Sequence, residues 1–187
     1  LKIVRLVDPQ MAETMSEAVL AWTLYLHRNM PAYAQQQRQL IWQEHPYIRP
    51  QRKNVGLLGL GALGTASARR LVAAGFQVCG WSRTTKSLPG VECYSGMAEL
   101  DVMLAKTDIL VCLVPLTSET RGLLDKERFA HLRHGASLIN FARGPVINDD
   151  DLRAALDSGA IEHAVLDVFT REPLPTDQWQ WKPPRGT

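Results

Sequence analysis

Short apolar runs alternate along most of the chain with longer segments in which apolar residues recur at every third or fourth position. An apolar run predicts a buried strand, and the three-to-four repeat predicts a helix with one buried face. The predicted strands are Val55 to Leu58, Gln77 to Trp81, Val91 to Tyr94, Ile109 to Val114, Ser137 to Asn140 and Ala164 to Val168. The predicted helices between them are Thr65 to Leu71, Met97 to Ala105, Lys126 to Leu132 and Asp149 to Ser158. Because the strands are almost entirely apolar, we expect a parallel sheet that helices cover on both faces.

The first 50 residues follow a different pattern, which predicts a helical arm. Thr14 and Glu17 have the spacing of a capping box, and apolar residues repeat at helical spacing from there to Asn29. Pro31 then breaks the helix, and a more polar second helix is predicted from Ala32 to Glu44. The first helix has apolar side chains on more than one side. Its own subunit or a second copy of the chain, in a homodimer, would cover them, and the pattern leaves both possibilities open.

Composition narrows the class of protein. The chain has 187 residues, 45% of them hydrophobic, and a net charge of +2. These values predict a soluble globular protein with no bias towards nucleic acid or an anionic membrane. Cys79, Cys93 and Cys112 are odd in number and lack the spacing of a metal site, which favours a reduced, cytoplasmic setting and no metal. We find no signal peptide and no apolar run long enough to span a membrane, so nothing in the sequence predicts export or a membrane span.

A glycine-rich turn follows the first strand of the predicted sheet. Gly59, Gly61 and Gly64 have the G-x-G-x-x-G spacing of a dinucleotide-binding turn. The first glycine permits the turn, the second admits a pyrophosphate, and the third lets the helix pack on the strand. The spacing alone is weak evidence, but Gly75 ends the helix and a second strand follows it. The sequence therefore predicts an α/β, Rossmann-type doubly wound parallel sheet over residues 51–187.

Ligands of such sheets bind beyond the carboxyl ends of the strands, where the strand order reverses. This rule selects the loops at Gly59 to Gly64, Ser82 to Lys86, Pro115 to Thr120, Ala142 to Val146 and Asp167 to Pro173.

The loop after the second strand bears on the choice of cofactor. An NAD-binding turn usually has an acidic residue there, which holds the ribose 2′-hydroxyl. This chain has Ser82 and Arg83 instead, with Lys86 close by. A hydroxyl and two cations suit a 2′-phosphate, so NADP is favoured and NAD remains possible. The alternative is that the two cations are solvated loop residues.

Two motifs carry a resemblance to a known family. The segment NFARGPVIND at Asn140 to Asp149, with LDVFTREPLP at Leu166 to Pro175, resembles the D-isomer-specific 2-hydroxyacid dehydrogenases. Within that family, WSRTTKSLPGVECY, the ALDSG at Ala155 to Gly159 and the EPLP are most similar to the bacterial A-type glyoxylate/hydroxypyruvate reductases. The resemblance covers essentially the whole chain.

The resemblance implies roles for individual residues. Arg143 matches the arginine that holds the carboxylate of the 2-oxo acid and polarises its carbonyl group, and Glu172 matches the acid that pairs with the catalytic histidine. Asp167 matches a residue near the nicotinamide carboxamide. The remaining matches are Leu63 and Gly64 in the pyrophosphate loop, and Val114, Pro115 and Thr120 along the cofactor groove.

The resemblance also implies parts that this sequence does not contain. The family's histidine lies in a Pro-His pair that would follow Thr187, and the family's substrate lobe would precede residue 1, with Lys2 to Val7 as its last remnant. The chain opens in mid-pattern at Leu1. We therefore expect a fragment that binds cofactor without completing turnover.

The function implied for the intact protein is NADPH-dependent reduction of glyoxylate or hydroxypyruvate. A corepressor-like module that binds nucleotide to control dimerisation is the main alternative, because such proteins use the same fold. A nucleotide-sugar or methyl-donor domain is a third possibility, which the ARG and DVFxxEP loops disfavour.

Overall fold

A computed structural model describes residues 9–182, and the predicted strand-like run Lys2 to Val7 lies outside them. The helices are Pro9–His27 (α1), Met30–Arg38 (α2), Ala62–Ala73 (α3), Met97–Leu104 (α4), Lys126–His131 (α5) and Asp149–Ser158 (α6). The strands are Asn54–Leu58 (β1), Gln77–Ser82 (β2), Val91–Ser95 (β3), Ile109–Cys112 (β4), Ala136–Asn140 (β5) and Ile161–Leu166 (β6). Short 3-10 turns lie at Pro50–Arg52, Gly144–Val146 and Trp179–Trp181.

The strands form one parallel sheet in the order β3-β2-β1-β4-β5-β6. Val55 of β1 pairs with Val78 of β2 on one side and with Ile109 of β4 on the other. The chain therefore runs outwards in one direction from β1 and then returns to build the other half from β4. This doubly wound order confirms the predicted fold class, and it places the reversal of strand order between β1 and β4.

Each face of the sheet has its own buried cluster. Leu57 and Val111 point to the face that α1 and α3 cover, where they pack with Val19 and Leu71. Their neighbours Leu58 and Leu110 point to the opposite face, among side chains from α4, α5 and α6. Because successive strand residues alternate between faces, strands buried on both sides have to be apolar throughout.

The structure corrects the bounds of several predicted elements. The first helix begins at Pro9, and the predicted capping box is wrong, because the Thr14 hydroxyl donates to the Gln10 carbonyl within the helix. The second helix runs from Met30 to Arg38 and not from Ala32 to Glu44, so Pro31 lies in its first turn and does not break the first helix. Leu40, beyond its end, has a positive φ of 58°. The last strand is Ile161–Leu166 and not Ala164 to Val168, since pairing starts at Ile161 opposite Ala136.

An arginine joins the arm to the sheet domain. Arg70 of α3 donates from Nε to the Ser16 hydroxyl at 2.7 Å and from Nη2 to a Glu13 carboxylate oxygen at 2.8 Å. Val19 and Leu26 of α1 are buried in the cluster on the same face of the sheet. One side of α1 is therefore covered by its own subunit, and the helix that follows the glycine turn is also the main support of the arm.

Candidate cofactor site

A cavity of about 660 Å³ opens at the carboxyl ends of β1, β2, β3 and β4, at the reversal of strand order. It is lined by Gly59, Leu60, Gly61, Trp81, Ser82, Arg83, Thr84, Gly96, Met97, Val114, Pro115, Thr117, Glu119 and Thr120. Two smaller cavities lie elsewhere in the described chain: one of about 280 Å³ beside β6 and one of about 50 Å³ at the amino ends of the strands. The cavity at the strand reversal is the one that the topology of the sheet assigns to a ligand.

The three glycines of the turn have different surroundings. Gly59 has a φ of 106°, a left-handed conformation that a side chain would strain. A Cβ atom on Gly64 would overlap the Gly59 carbonyl oxygen, so close packing of α3 on the turn requires glycine there. Gly61 has ordinary extended angles, and a Cβ atom on it would meet no protein atom within 4 Å. Neither the fold nor the backbone therefore explains glycine at this position.

The β2 loop brings a hydroxyl and a cation to the same cavity. The Ser82 hydroxyl donates to the Thr84 carbonyl at 2.7 Å, which tightens the turn after the strand. Arg83 extends across the mouth, with its Nη1 3.9 Å from a Glu119 carboxylate oxygen. Lys86 lies exposed in the same loop and does not line the cavity.

Hydrogen bonds fix the loop that follows β4. The Thr120 hydroxyl donates to the Pro115 carbonyl at 2.6 Å and accepts from the Thr117 backbone N–H at 2.8 Å. Val114 is buried, and Pro115 is exposed at the cavity wall. Because Thr120 is itself buried, its hydroxyl holds the shape of this wall.

Arg143 follows β5 at the same edge of the sheet. Its side chain is exposed, and one guanidinium N–H donates to the Ala142 carbonyl at 2.6 Å. The buried Asn140 shapes the turn, because its amide donates to the Arg143 carbonyl and its side-chain oxygen accepts from the Ala142 N–H. A Cβ atom on Gly144 would overlap the backbone of Phe169, so the Arg143 turn sits directly against the loop after β6.

Glu172 and Asp167 lie in that loop after β6. A Glu172 carboxylate oxygen accepts a hydrogen bond from the Phe169 backbone N–H at 2.9 Å, which links the two ends of this turn. Asp167 donates its backbone N–H to the Asn140 carbonyl, so it stands beside the Arg143 turn. The residues that the resemblance links to substrate are thus brought to one edge, next to the cavity that contains the glycine turn.

The histidines lie elsewhere. His27 borders the small cavity at the amino ends of the strands, and His45 packs against Tyr33 of the arm. His131 faces Asp101 on α4, and His134 precedes β5. His163 is in β6, paired in register with Ser137 near the start of β5. None of the five lines the cavity at the strand reversal.

Two of the three cysteines are buried. Burial raises the pKa of Cys79 to about 11 and that of Cys112 to about 12, so both thiols stay protonated. The residues 9–182 contain no group of three or more histidine, cysteine or acidic side chains placed to hold a metal ion. Within that range no helix is both long and apolar enough to cross a membrane.

Seven of the predicted cofactor residues line the cavity: Gly59, Gly61, Ser82, Arg83, Val114, Pro115 and Thr120. Gly64 lies beneath the turn, Leu63 in the first turn of α3, and Lys86 and Asp167 outside the lining. Leu60, Thr84, Thr117 and Glu119 lie in the loops that the strand-end rule selected but were not singled out, and Trp81, Gly96 and Met97 were missed. The rule on carboxyl strand ends, applied to β3 as well, would have found Gly96 and Met97.

The fold and the cavity together define a dinucleotide-binding domain. The family model for the D-isomer specific 2-hydroxyacid dehydrogenase NAD-binding domain matches residues 20–186. The chain belongs to this family.

Solved structures of the family superpose closely on the chain. A D-isomer specific 2-hydroxyacid dehydrogenase from Xanthobacter autotrophicus, in complex with NADPH and MES, is 45% identical with a TM-score of 0.96, covering 99% of this chain and 76% of that one. An NADPH-dependent glyoxylate/hydroxypyruvate reductase from Sinorhizobium meliloti, in complex with NADP and sulfate, is 38% identical with a TM-score of 0.93. That match covers 97% of this chain and 59% of the Sinorhizobium one, so the chain spans well under two thirds of that relative.

Proposed function

We propose that this chain is the cofactor domain of an NADPH-dependent reductase that converts a small 2-oxo acid, glyoxylate or hydroxypyruvate, into the 2-hydroxy acid. The proposal rests on the cavity at the strand reversal and on the relatives from Xanthobacter and Sinorhizobium, which were solved with NADPH and NADP. Bound NADPH supplies the hydride, and the chain's own residues bind the cofactor and orient the substrate.

The observation that carries the proposal is the open space at Gly61. Its backbone angles suit any residue and no protein atom lies where a side chain would go. A pyrophosphate bound at the start of α3 would explain glycine at this position, because the phosphate needs to approach the backbone N–H groups. The helix N-terminus also favours the negative charge of the phosphates.

Ser82 and Arg83 support the choice of NADPH over NADH. Both line the cavity at the carboxyl end of β2, where the ribose of a bound dinucleotide is expected. The guanidinium offers charge-assisted hydrogen bonds to a 2′-phosphate, and the segment Ser82 to Lys86 contains no carboxylate to hold a 2′-hydroxyl. Lys86, exposed in the same loop, adds a second positive charge.

Arg143 and Glu172 are the residues that we propose for the reaction itself. One guanidinium N–H of Arg143 donates to the Ala142 carbonyl, and the other N–H groups can donate a bidentate pair of hydrogen bonds to a substrate carboxylate. Asn140 fixes the turn, so the guanidinium is presented from a rigid strand end. Glu172, anchored by Phe169 N–H, would orient a histidine that protonates the carbonyl oxygen. Asp167, Leu63 and Gly64 keep the cofactor roles that the resemblance implies.

The test compares two cofactors and two variants. NADPH and NADH are titrated into the 187-residue chain and into Arg83→Gln, and we expect the preference for NADPH to fall by about tenfold or more in the variant. Equal affinities for both cofactors in the unmodified chain would contradict the 2′-phosphate assignment. In the full-length protein, Arg143→Ala should lower kcat/KM for glyoxylate by about a hundredfold or more. An unchanged value would refute the role of Arg143.

We also propose that residues 1–50 include the surface that joins two copies of the chain. Leu40 is 93% exposed and Trp42 97% exposed, and Trp22 on α1 is 40% exposed. Apolar groups this large are seldom left in water together unless they form an interface. Sedimentation of the chain and of Trp42→Ser would test this, since the substitution should weaken dimerisation without lowering thermal stability of the subunit. A chain that is monomeric at all concentrations would refute it.

A further inference from the structure

A single ionic contact spans the mouth of the cofactor cavity. Arg83, from the loop after β2, places Nη1 3.9 Å from Oε2 of Glu119, from the loop after β4. Both side chains line the cavity. They are the only cation and the only anion among its lining residues. The lining of this entrance in the described chain therefore carries one pair of opposite charges, on two different loops.

The backbone on the Glu119 side of this contact is fixed. Its neighbour Thr120 is buried and hydrogen-bonded to both Pro115 and Thr117, so the loop cannot withdraw the acid from the entrance without losing those bonds. The two charged side chains themselves are 78% and 68% exposed. An exposed ion pair of this kind is weak and exchanges readily for a stronger partner.

The phosphate of NADPH is such a partner, because it carries close to two negative charges where Glu119 carries one. We infer that Glu119 competes with the 2′-phosphate for Arg83 and so lowers the affinity for NADPH relative to NADH. This inference rests on the proposed function, in which Arg83 binds the 2′-phosphate. Glu119 is then a residue that sets cofactor preference from the opposite wall, without contacting the reacting atoms.

The experiment removes the charge of Glu119 and keeps its shape. Glu119→Gln and the unmodified chain are titrated with NADPH and NADH, and with adenosine 2′,5′-bisphosphate and 5′-AMP, which differ only by the 2′-phosphate. We expect Glu119→Gln to bind NADPH and the bisphosphate about two- to fivefold more tightly, with NADH and 5′-AMP nearly unchanged. The gain should shrink as salt is raised, because exposed charges are screened.

Two further variants separate the possible outcomes. Glu127→Gln changes the net charge by the same amount on the exposed first turn of α5, away from the cavity, and should leave every affinity unchanged. In an Arg83→Gln background the gain from Glu119→Gln should be smaller, since the contested cation is gone. Affinity for NADPH that is unchanged or weaker in Glu119→Gln, or a gain that persists fully without Arg83, would overturn the inference.

These results also distinguish this inference from the proposed function. If Arg83→Gln loses the preference for NADPH while Glu119→Gln has no effect, the cofactor assignment stands and only the role of Glu119 is wrong. If neither NADPH nor NADH binds the unmodified chain, the proposed function itself fails.

Discussion

The glycine turn and the helical arm are joined through α3, yet they differ in what holds their residues in place. In the turn, Gly59 and Gly64 are fixed by backbone angle and by close packing inside the subunit. In the arm, only one side of α1 is packed on α3, and large apolar side chains such as Leu40 and Trp42 remain in solvent. Protein atoms of one subunit therefore account for Gly59 and Gly64 of the turn, whereas they leave Leu40 and Trp42 of the arm exposed.

This difference distinguishes residues whose type the fold requires from residues whose type a ligand or a partner would explain. Gly64 is explained entirely by protein atoms, and Gly61 by none of them. Likewise burial in the core of the subunit explains an apolar residue at Val19, but not at Trp42, which is exposed. A residue type that the folded chain does not explain is evidence for a partner, which we propose is the cofactor at Gly61 and a second subunit at Trp42.

The largest effect is expected from a substitution in the turn. Gly64→Ala would normally stabilise a helix by about 1 kcal/mol. Here the added Cβ overlaps the Gly59 carbonyl oxygen, a backbone atom that cannot rotate away. We expect a net loss of about 2–3 kcal/mol, which lowers the melting temperature by roughly 4–12 °C. Thermal unfolding followed by circular dichroism measures it, and a melting temperature equal to that of the unmodified chain would contradict the packing argument.

A smaller effect is expected where the arm meets α3. Arg70→Ala removes the hydrogen bond to the buried Ser16 hydroxyl and the ion pair with the exposed Glu13. The ion pair is largely screened by water, so most of the expected loss of about 1 kcal/mol comes from Ser16. Glu13→Gln is the matched control and should cost much less. Equal losses in urea unfolding of the two variants would show that the ion pair, and not the buried hydroxyl, holds the arm.

The smallest effect concerns pH and the far end of α1. His27 is buried against Phe76, and burial, followed by the charges of Lys53 and Arg28, lowers its pKa. Asp108 and Glu162 also border its cavity. The unfolded chain takes up a proton at the ordinary pKa of histidine, and the folded chain does so only at lower pH. Stability is therefore lost as the pH falls through about 6.5.

The matched variant for this pH effect is His27→Phe, which keeps an aromatic ring beside Phe76 and cannot titrate. Between about pH 7.5 and pH 5.5, the melting temperature of the unmodified chain should fall more than that of the variant. Parallel losses in the two proteins would mean that other groups carry the pH dependence.

The sheet could be predicted from the sequence because its strands are buried on both faces. Strands such as β1 and β4 are continuous apolar runs, and Gly75 and Gly159 mark helix ends by their left-handed conformation. The edge strand β6 was misplaced, because Glu162 is exposed there and interrupts the apolar run. An edge strand is buried on fewer sides, so its pattern is weaker.

The arm and half of the cavity wall were harder to predict for physical reasons. Leu40 and Trp42 have the apolar character of a buried helix end, yet the helix stops at Arg38 and both side chains are exposed. Sequence shows that a residue is apolar, and it does not show what covers it. Glu119 lies in the predicted loop Pro115 to Thr120 but was not singled out, because the role that we infer for it depends on Arg83, 36 residues earlier in the chain. Only the folded sheet brings the two loops together.

The most direct test of the central claim is the affinity of Gly61→Ala for NADPH. Alanine fits the backbone angles and meets no protein atom, so the variant should unfold within about 1 kcal/mol of the unmodified chain. If a pyrophosphate lies against this glycine, the added methyl group should weaken NADPH binding by about tenfold or more. A stable Gly61→Ala variant that binds NADPH as tightly as the unmodified chain would contradict the proposed cofactor site.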